Sequence, residues 1–318
     1  MSVKVSSSFP GQVINRRHFL AAGGVLATAA ITGIGKPVHA KGTVAVDDGE
    51  AIIVSDGNLV LPPSFLAPAA PQDEVRALLE SAGLPIGSLE PDCNITFVRK
   101  GDRLIAFDVG AGPNFMPSAG KLAENMEDAG IDPAEVTDVI FTHAHPDHLW
   151  GLLDDFDELT FPDADYHMAE AEWDFWRADD TLDKMPEERK TFVVGAQNRL
   201  AELADRIMLF SSGAEVVSGV EAVDTSGHTP GHTSFMVGSG ENGLFIVGDA
   251  ITNVAVSFAK PDWHSGSDQN PEKGAKTRLA LLDRLASENT PIIGFHMPHP
   301  GAGRVERSGT AYRFVADS

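Results

Sequence analysis

The chain has 318 residues, 42% of them hydrophobic, with 46 acidic against 24 basic side chains and a formal net charge of −22. That length and composition suit one large globular domain, and an anionic surface of this strength excludes nucleic acid and acidic membranes as partners. The only cysteine, Cys93, excludes an internal disulfide and any cysteine-rich zinc site, so a metal would have to be held by His, Asp and Glu.

The first forty residues are of a different kind. "INRRHFLAAGGVLATAAITGIGKPVHA" sets Arg16 and Arg17 before an apolar, small-residue run and ends on Val38-His39-Ala40, a small-residue cleavage site. Residues 1–40 therefore read as a twin-arginine export signal, which predicts a periplasmic or secreted protein. The run from Phe19 to Ile34 is short and Gly-rich for a membrane span, so no stable insertion of the mature chain is expected. Residues 41–318 read as a single domain.

Along that domain, "EAIIVSDGNLVL" predicts a strand and "EVRALLESAG" a helix closed by Gly83. "CNITFVRKGDRLIAFDVG" predicts a hairpin turning at Lys100-Gly101-Asp102. "PSAGKLAENMEDAG" is a helix stopping at Gly130, and "VTDVIFT" a short apolar strand. "AEAEWDFWRADD" and "PEERKTFVVGAQNRLAELADRI" read as helices. "AEVVSGVEAVDTSG", "TSFMVGSG" and "GLFIVGDA" read as short strands, "PEKGAKTRLALLDRLASEN" as an amphipathic helix and "PIIGFH" as a closing strand. Strands in both halves with helices between them predict a layered α/β domain.

Histidine is scarce, with 11 in the chain, yet three fall within "FTHAHPDHLWG" after the "VTDVIFT" strand. His143 and His145 can turn to one side of such a loop, while Pro146 bends the chain so that Asp147 and His148 face a second point. Imidazole and carboxylate together suit zinc and similar divalent ions. Four ligands from so short a loop fit two neighbouring ions better than one. Further donors stand at other strand ends: His228 and His232 in "SGHTPGHTS", Asp249 after "LFIVG", and His296 after "PIIGF". Asp249, with two oxygens, is the candidate bridge.

In this order and spacing the motifs resemble the metallo-β-lactamase fold superfamily, in its dinuclear hydrolase branch, from about residue 50 to the end. The resemblance implies a four-layer αβ/βα sandwich with the metals at one edge. It implies that His143, His145 and His232 hold one ion, that Asp147, His148 and His296 hold the other, and that Asp249 lies between them. His228 is left a supporting role. The stretch from Val247 to Arg278, with "IIGFHMPHPGAGRVERSGTAYRFV", looks like the methyl parathion hydrolase group and its exported relatives, neighbours of the N-acyl homoserine lactonases. Many of those lactonases carry a Tyr shortly after the bridging Asp; this chain has Ile251-Thr252-Asn253 there.

Two divalent ions can share a water, lower its pKa and deliver hydroxide to a carbonyl or phosphoryl centre. The expected activity is thus hydrolysis of an apolar ester, lactone or phosphotriester. Zinc is the default metal, with manganese, cobalt or iron also accommodated by these donors. N-acyl homoserine lactonase is the nearer alternative, and an iron-dependent oxidoreductase of the same fold is the alternative of another class. Trp150, Trp176 and Phe258 are expected to line a pocket for a small apolar substrate. A homodimer is allowed.

Overall fold

The computed structural model describes residues 41–317, apart from Asp48. The segment read as an export signal lies outside the described residues. No helix among those described is long and apolar enough to cross a membrane.

The first sheet runs in chain order: β1 (Lys41–Val46), β2 (Gly49–Asn58), β3 (Asp92–Lys100), β4 (Arg103–Phe107), β5 (Asp138–Ile140), β6 (Asp165–Ala169) and β7 (Ile207–Phe210). Pairing is antiparallel from β1 to β4 and parallel from β4 to β7. The second sheet comprises β8 (Glu215–Val217), β9 (Val220–Asp224), β10 (Thr233–Val237), β11 (Leu244–Ile246), β12 (Pro291–Ile293), β13 (Ala302–Ser308) and β14 (Ala311–Ala316), again with chain neighbours adjacent. Only β11 and β12 pair in parallel among its described strands.

Strand periodicity explains the layering. Successive side chains of a strand point to opposite faces, and here both faces are apolar. Ile53, Ile105 and Ile140 face Phe235, Leu244, Ile246 and Ile293, forming the core between the sheets. Their neighbours Ile52, Val54, Ala106 and Val139 point the other way, onto a core that includes Met126, Trp176, Val193 and Leu200. Those four belong to α2 (Leu122–Ala129), α4 (Glu170–Arg177) and α6 (Lys190–Glu202). Phe245 and Ile292 of the second sheet turn outward to Leu281, Leu282 and Leu285 of α8 (Pro271–Glu288). The architecture is an αβ/βα sandwich. Each large apolar side chain so buried contributes about 1.5–3 kcal/mol.

Local signals set several boundaries. Gly130, at φ 72°, closes α2 in the left-handed region, and Asn270 caps α8 by accepting from the Lys273 amide at 3.0 Å. The remaining helices are α1 (Gln72–Ser81), α3 (Pro146–Leu149), α5 (Thr181–Lys184) and α7 (Val256–Ala259). Other elements depart from the sequence expectation. The helix expected to run through Ile207 ends at Glu202, and β7 follows it. β1, β6, β13 and β14 were not anticipated at all.

Candidate metal centre

The centre forms where strands of both sheets end. β4 and β5 pair Phe107 with Ile140 in parallel, which brings the next residues, Asp108 and the Phe141–Thr142 step, side by side. Asp108, at φ 65°, accepts from the Thr142 amide at 2.7 Å and from its hydroxyl at 2.8 Å. The chain then passes through His143 to His145 and turns into α3, which carries Asp147 and His148. From the second sheet, the β9–β10 loop brings His228, the end of β11 brings Asp249, and the end of β12 brings His296. The Thr233 amide donates to the Thr142 carbonyl at 3.0 Å, joining the two sheets beside the cluster.

Two groups of ligand atoms face inward. In the first, His145 Nδ1 lies 3.0 Å from His143 Nε2 and 2.8 Å from His228 Nε2. In the second, His296 Nε2 lies 3.2 Å from Asp147 Oδ2, and His148 Nε2 lies 3.6 Å from that same oxygen. Asp249 spans both: Oδ1 is 3.3 Å from His148 Nε2, while Oδ2 is 3.3 Å from His228 Nε2 and 3.4 Å from His296 Nε2.

The outer ring nitrogens are held in turn, and this decides the tautomers. His148 Nδ1 lies 2.7 Å from Asp108, and His228 Nδ1 lies 3.3 Å from Asp268, which accepts from Arg278 at 2.8 Å. His296 Nδ1 donates to the Asp92 carbonyl at 2.9 Å. The Thr142 hydroxyl, already donating to Asp108, is left to accept from His143 Nδ1 at 3.0 Å. The inward nitrogens are then lone-pair donors.

Such an arrangement fits cations. Three imidazole nitrogens converge within about 3 Å, and those of His143 and His228 present lone pairs that a positive ion among them would satisfy. Among the described residues, Asp147 Oδ2, His148 Nε2 and Asp249 Oδ1 are buried with no hydrogen-bond partner. Burial, then the neighbouring imidazoles, holds His143 and His145 well below the ordinary histidine range, so they are neutral. At the second group burial pushes His148 down, but Asp249, Asp147 and Asp108 outweigh it and raise the imidazole to about 10. His296 is raised well above its ordinary value against the same burial, chiefly by Asp249. The carboxylates thus make the second group a place that favours positive charge.

Sequence reasoning assigned the third imidazole of the first group to His232; the geometry gives it to His228. Both nitrogens of His232 are engaged elsewhere. Nδ1 is 2.8 Å from the Thr225 hydroxyl, and Nε2 accepts from the Asp249 amide at 2.8 Å. His232 lies behind the loop and supports its backbone. That loop passes so close that a Cβ on Gly248, itself at φ 58°, would stand 2.7 Å from His232 Nε2.

The expected pocket residues are also corrected in part. Trp176 is wholly buried beneath His145, its indole N–H donating to Glu172 at 2.6 Å, and Phe258 is buried against Phe314. Trp150 is half-buried between Phe115 and the guanidinium of Arg199, and its ring packs on Gly195 of α6.

Sequence reasoning did not single out Asp108, Asp268 and Glu172. Glu172 is buried and accepts from the Ala144 amide at 2.9 Å, the Thr229 hydroxyl at 2.7 Å, the Gly231 amide at 2.9 Å and Trp176. It ties the loop bearing His143 and His145 to the loop bearing His228. A Cβ on Gly231 would strike the Glu172 backbone at 2.1 Å, so the glycine is what permits the contact. A signal existed for Asp108, which ends the apolar run "LIAF" much as Asp249 ends "LFIVG". Glu172 had none, being one acid among several on its helix.

Two sheets packed face to face carry paired His/Asp clusters at their strand ends. The chain belongs to the metallo-β-lactamase superfamily, whose family description matches residues 90–302. It is 31% identical over 156 residues to the uncharacterised protein YobT of Bacillus subtilis (strain 168), a match covering 47% of this chain and 63% of that relative. Among solved structures it is similar to AidC, a dizinc quorum-quenching lactonase, at TM-score 0.82 and 26% identity, covering 87% of this chain and 97% of the other. It is equally similar to the hydrolase AbOPH of the beta-lactamase superfamily, at TM-score 0.82 and 26% identity over 89% of this chain and 99% of that one.

Proposed function

We propose that the protein is a dinuclear metal hydrolase of carboxylic esters or lactones. The observation that carries this reading is the pair of inward-facing donor groups joined by Asp249. His143 Nε2, His145 Nδ1 and His228 Nε2 would hold one ion, and Asp147, His148 and His296 the other. Asp249 would reach both with separate oxygens. When bound, two such ions supply an activated water at neutral pH and neutralise charge developing on a carbonyl oxygen.

The chain's own groups do the rest. Asp108, Asp268 and the Asp92 carbonyl fix the tautomers of His148, His228 and His296, and Asp249 would join the two ions. Glu172 keeps the two histidine loops in register. The side chains that suggested an apolar substrate are largely core, so hydrophobicity of the substrate is not part of the proposal. An N-acyl homoserine lactonase is the second reading, and the likeness to AidC supports it.

The test is a panel assay on metal-quantified protein: an aryl ester, short and long acyl homoserine lactones, a paraoxon-like triester and a chromogenic β-lactam. Ester or lactone hydrolysis should rise with metal content up to about two ions per chain and vanish on chelation. Fully loaded protein that cleaves no ester or lactone defeats the proposal. So does full activity at one ion per chain.

A further inference from the structure

A cleft of about 580 Å³ adjoins the metal centre, lined among others by Phe175, Met185, Arg189, Asp268, Gln269 and Lys273. It meets the centre through two of these. Asp268 carries His228, and the Gln269 amide nitrogen stands 3.5 Å from His145 Nε2.

Arg189 is the unusual member. Its guanidinium is half-buried and is held by the backbone carbonyls of Gly266 and Ser267, the latter at 3.2 Å. No carboxylate among the described residues forms an ion pair with it. Asp268 and Glu188 line the same cleft: Asp268 is committed to His228 and Arg278, and Glu188 is exposed and forms no ion pair with the guanidinium. Arg103, Arg278, Arg284, Arg307 and Arg313 each pair with an acid, as do Lys184, Lys190 and Lys276. Arg177, Arg199, Arg206 and Arg304 are held by backbone carbonyls as Arg189 is, but none of them lines the cleft. Partial desolvation lowers Arg189 from its ordinary value. A half-buried guanidinium with free donors is suited to a carboxylate, which it binds more strongly than it binds neutral acceptors.

We infer that Arg189 is a specificity-determining residue that seats a carboxylate of the substrate in this cleft while the scissile carbonyl lies over the metal centre. The substrate class is then an ester or lactone bearing an anionic carboxylate, such as a hemiester of a dicarboxylic acid. The inference rests on the hydrolase reading and narrows it. Lys273, exposed on the rim, adds long-range attraction, and Phe175 and Met185 pack the connecting methylenes.

The experiment compares metal-loaded wild-type chain, Arg189→Met and Arg189→Lys on two nearly isosteric esters, 4-nitrophenyl hemiglutarate and 4-nitrophenyl pentanoate. The reading is the ratio of the two kcat/KM values, which cancels any general loss of active protein. Wild type should favour the hemiester by about tenfold or more, with the preference carried by KM. Arg189→Met should bring the ratio close to one, and Arg189→Lys should keep part of it. A wild-type ratio near one, or a ratio unchanged by Arg189→Met, overturns the inference. A second arm does not need turnover: glutarate should raise the melting temperature of loaded wild type by roughly 2 °C or more and leave Arg189→Met unmoved. Equal shifts in the two proteins, or none in wild type, overturn the inference as well. Loaded protein that cleaves neither ester but shows the Arg189-dependent glutarate shift defeats the hydrolase reading and keeps the carboxylate site.

Discussion

His228 and His232 stand four residues apart in one loop, and their roles are opposite. The inward nitrogen of His228 is free because Asp268 holds the other one; His232 has both nitrogens occupied. His228→Ala should therefore drop metal content from about two ions per chain to about one. His232→Ala should keep close to two ions but lose about 2–4 kcal/mol of stability, because the Thr225 hydroxyl and Asp249 amide lose buried partners. Metal analysis by plasma emission together with urea denaturation separates the two, and the reverse pattern would sink the assignment. The sequence could not distinguish these histidines. "GHTPGH" presents both after glycine, and what separates them is a second-nitrogen partner 40 residues further on. The six-residue run from His143 to His148 was legible because it crowds four donors into six positions just after an apolar strand. The aromatic residues misled for the opposite reason: a tryptophan near a ligand in sequence is as easily the floor beneath it as the wall beside it.

β5 shows how one element serves both core and site. Its first residue, Asp138, accepts from both Arg103 and Thr137 and lies 3.2 Å from His167 Nε2, stapling the parallel strands β4, β5 and β6 at their entry. Burial alone would raise this carboxyl, but the hydrogen bonds from His167, Thr137 and Arg103 pull it down to about 2. Its folded value lies below the unfolded one of about 3.9. The stability it contributes is thus fully present above about pH 4 and is lost as pH falls toward 2, and it amounts to no more than about 2 kcal/mol. Asp138→Asn should lower the urea midpoint of the chelated protein at pH 6, and the gap should shrink by roughly two thirds by pH 2.5. A gap that stays constant over that range would argue against the staple. Strand signals of this kind were legible where the apolar run was flanked by turns, as in β2, β3, β4, β10 and β11. They failed at β7, where "IMLF" follows α6 after a brief turn and leaves Met208 and Leu209 exposed, so no alternation marks the change of period. β13 carries Arg304, Glu306 and Arg307 with Val305 as its one large apolar residue, and β14 is a short edge strand, so their composition resembles a polar tail.

At the scale of the molecule, the layered architecture was legible because both sheets carry apolar residues on both faces, which demands helices outside and a shared core within. The meeting of ligand loops from opposite sheets was not written in any one segment and followed only from matching motif order. That meeting has a mechanical side. β1 lies at the outer edge of one sheet and β14 at the outer edge of the other, while the donor groups sit deep in the chain order, between β5 and β13. Tension applied at the two ends would peel β1 and β14 first, one strand at a time. It would reach the loaded centre only after β4 on one side and β13 on the other had come away. In an optical trap, chelation should therefore leave the early rupture events untouched and weaken the late ones; a first event that softens on chelation would contradict this order. Metal occupancy would then act as a clasp on the inner half of the fold, so the outer strands can fray under load while the chemistry stays assembled.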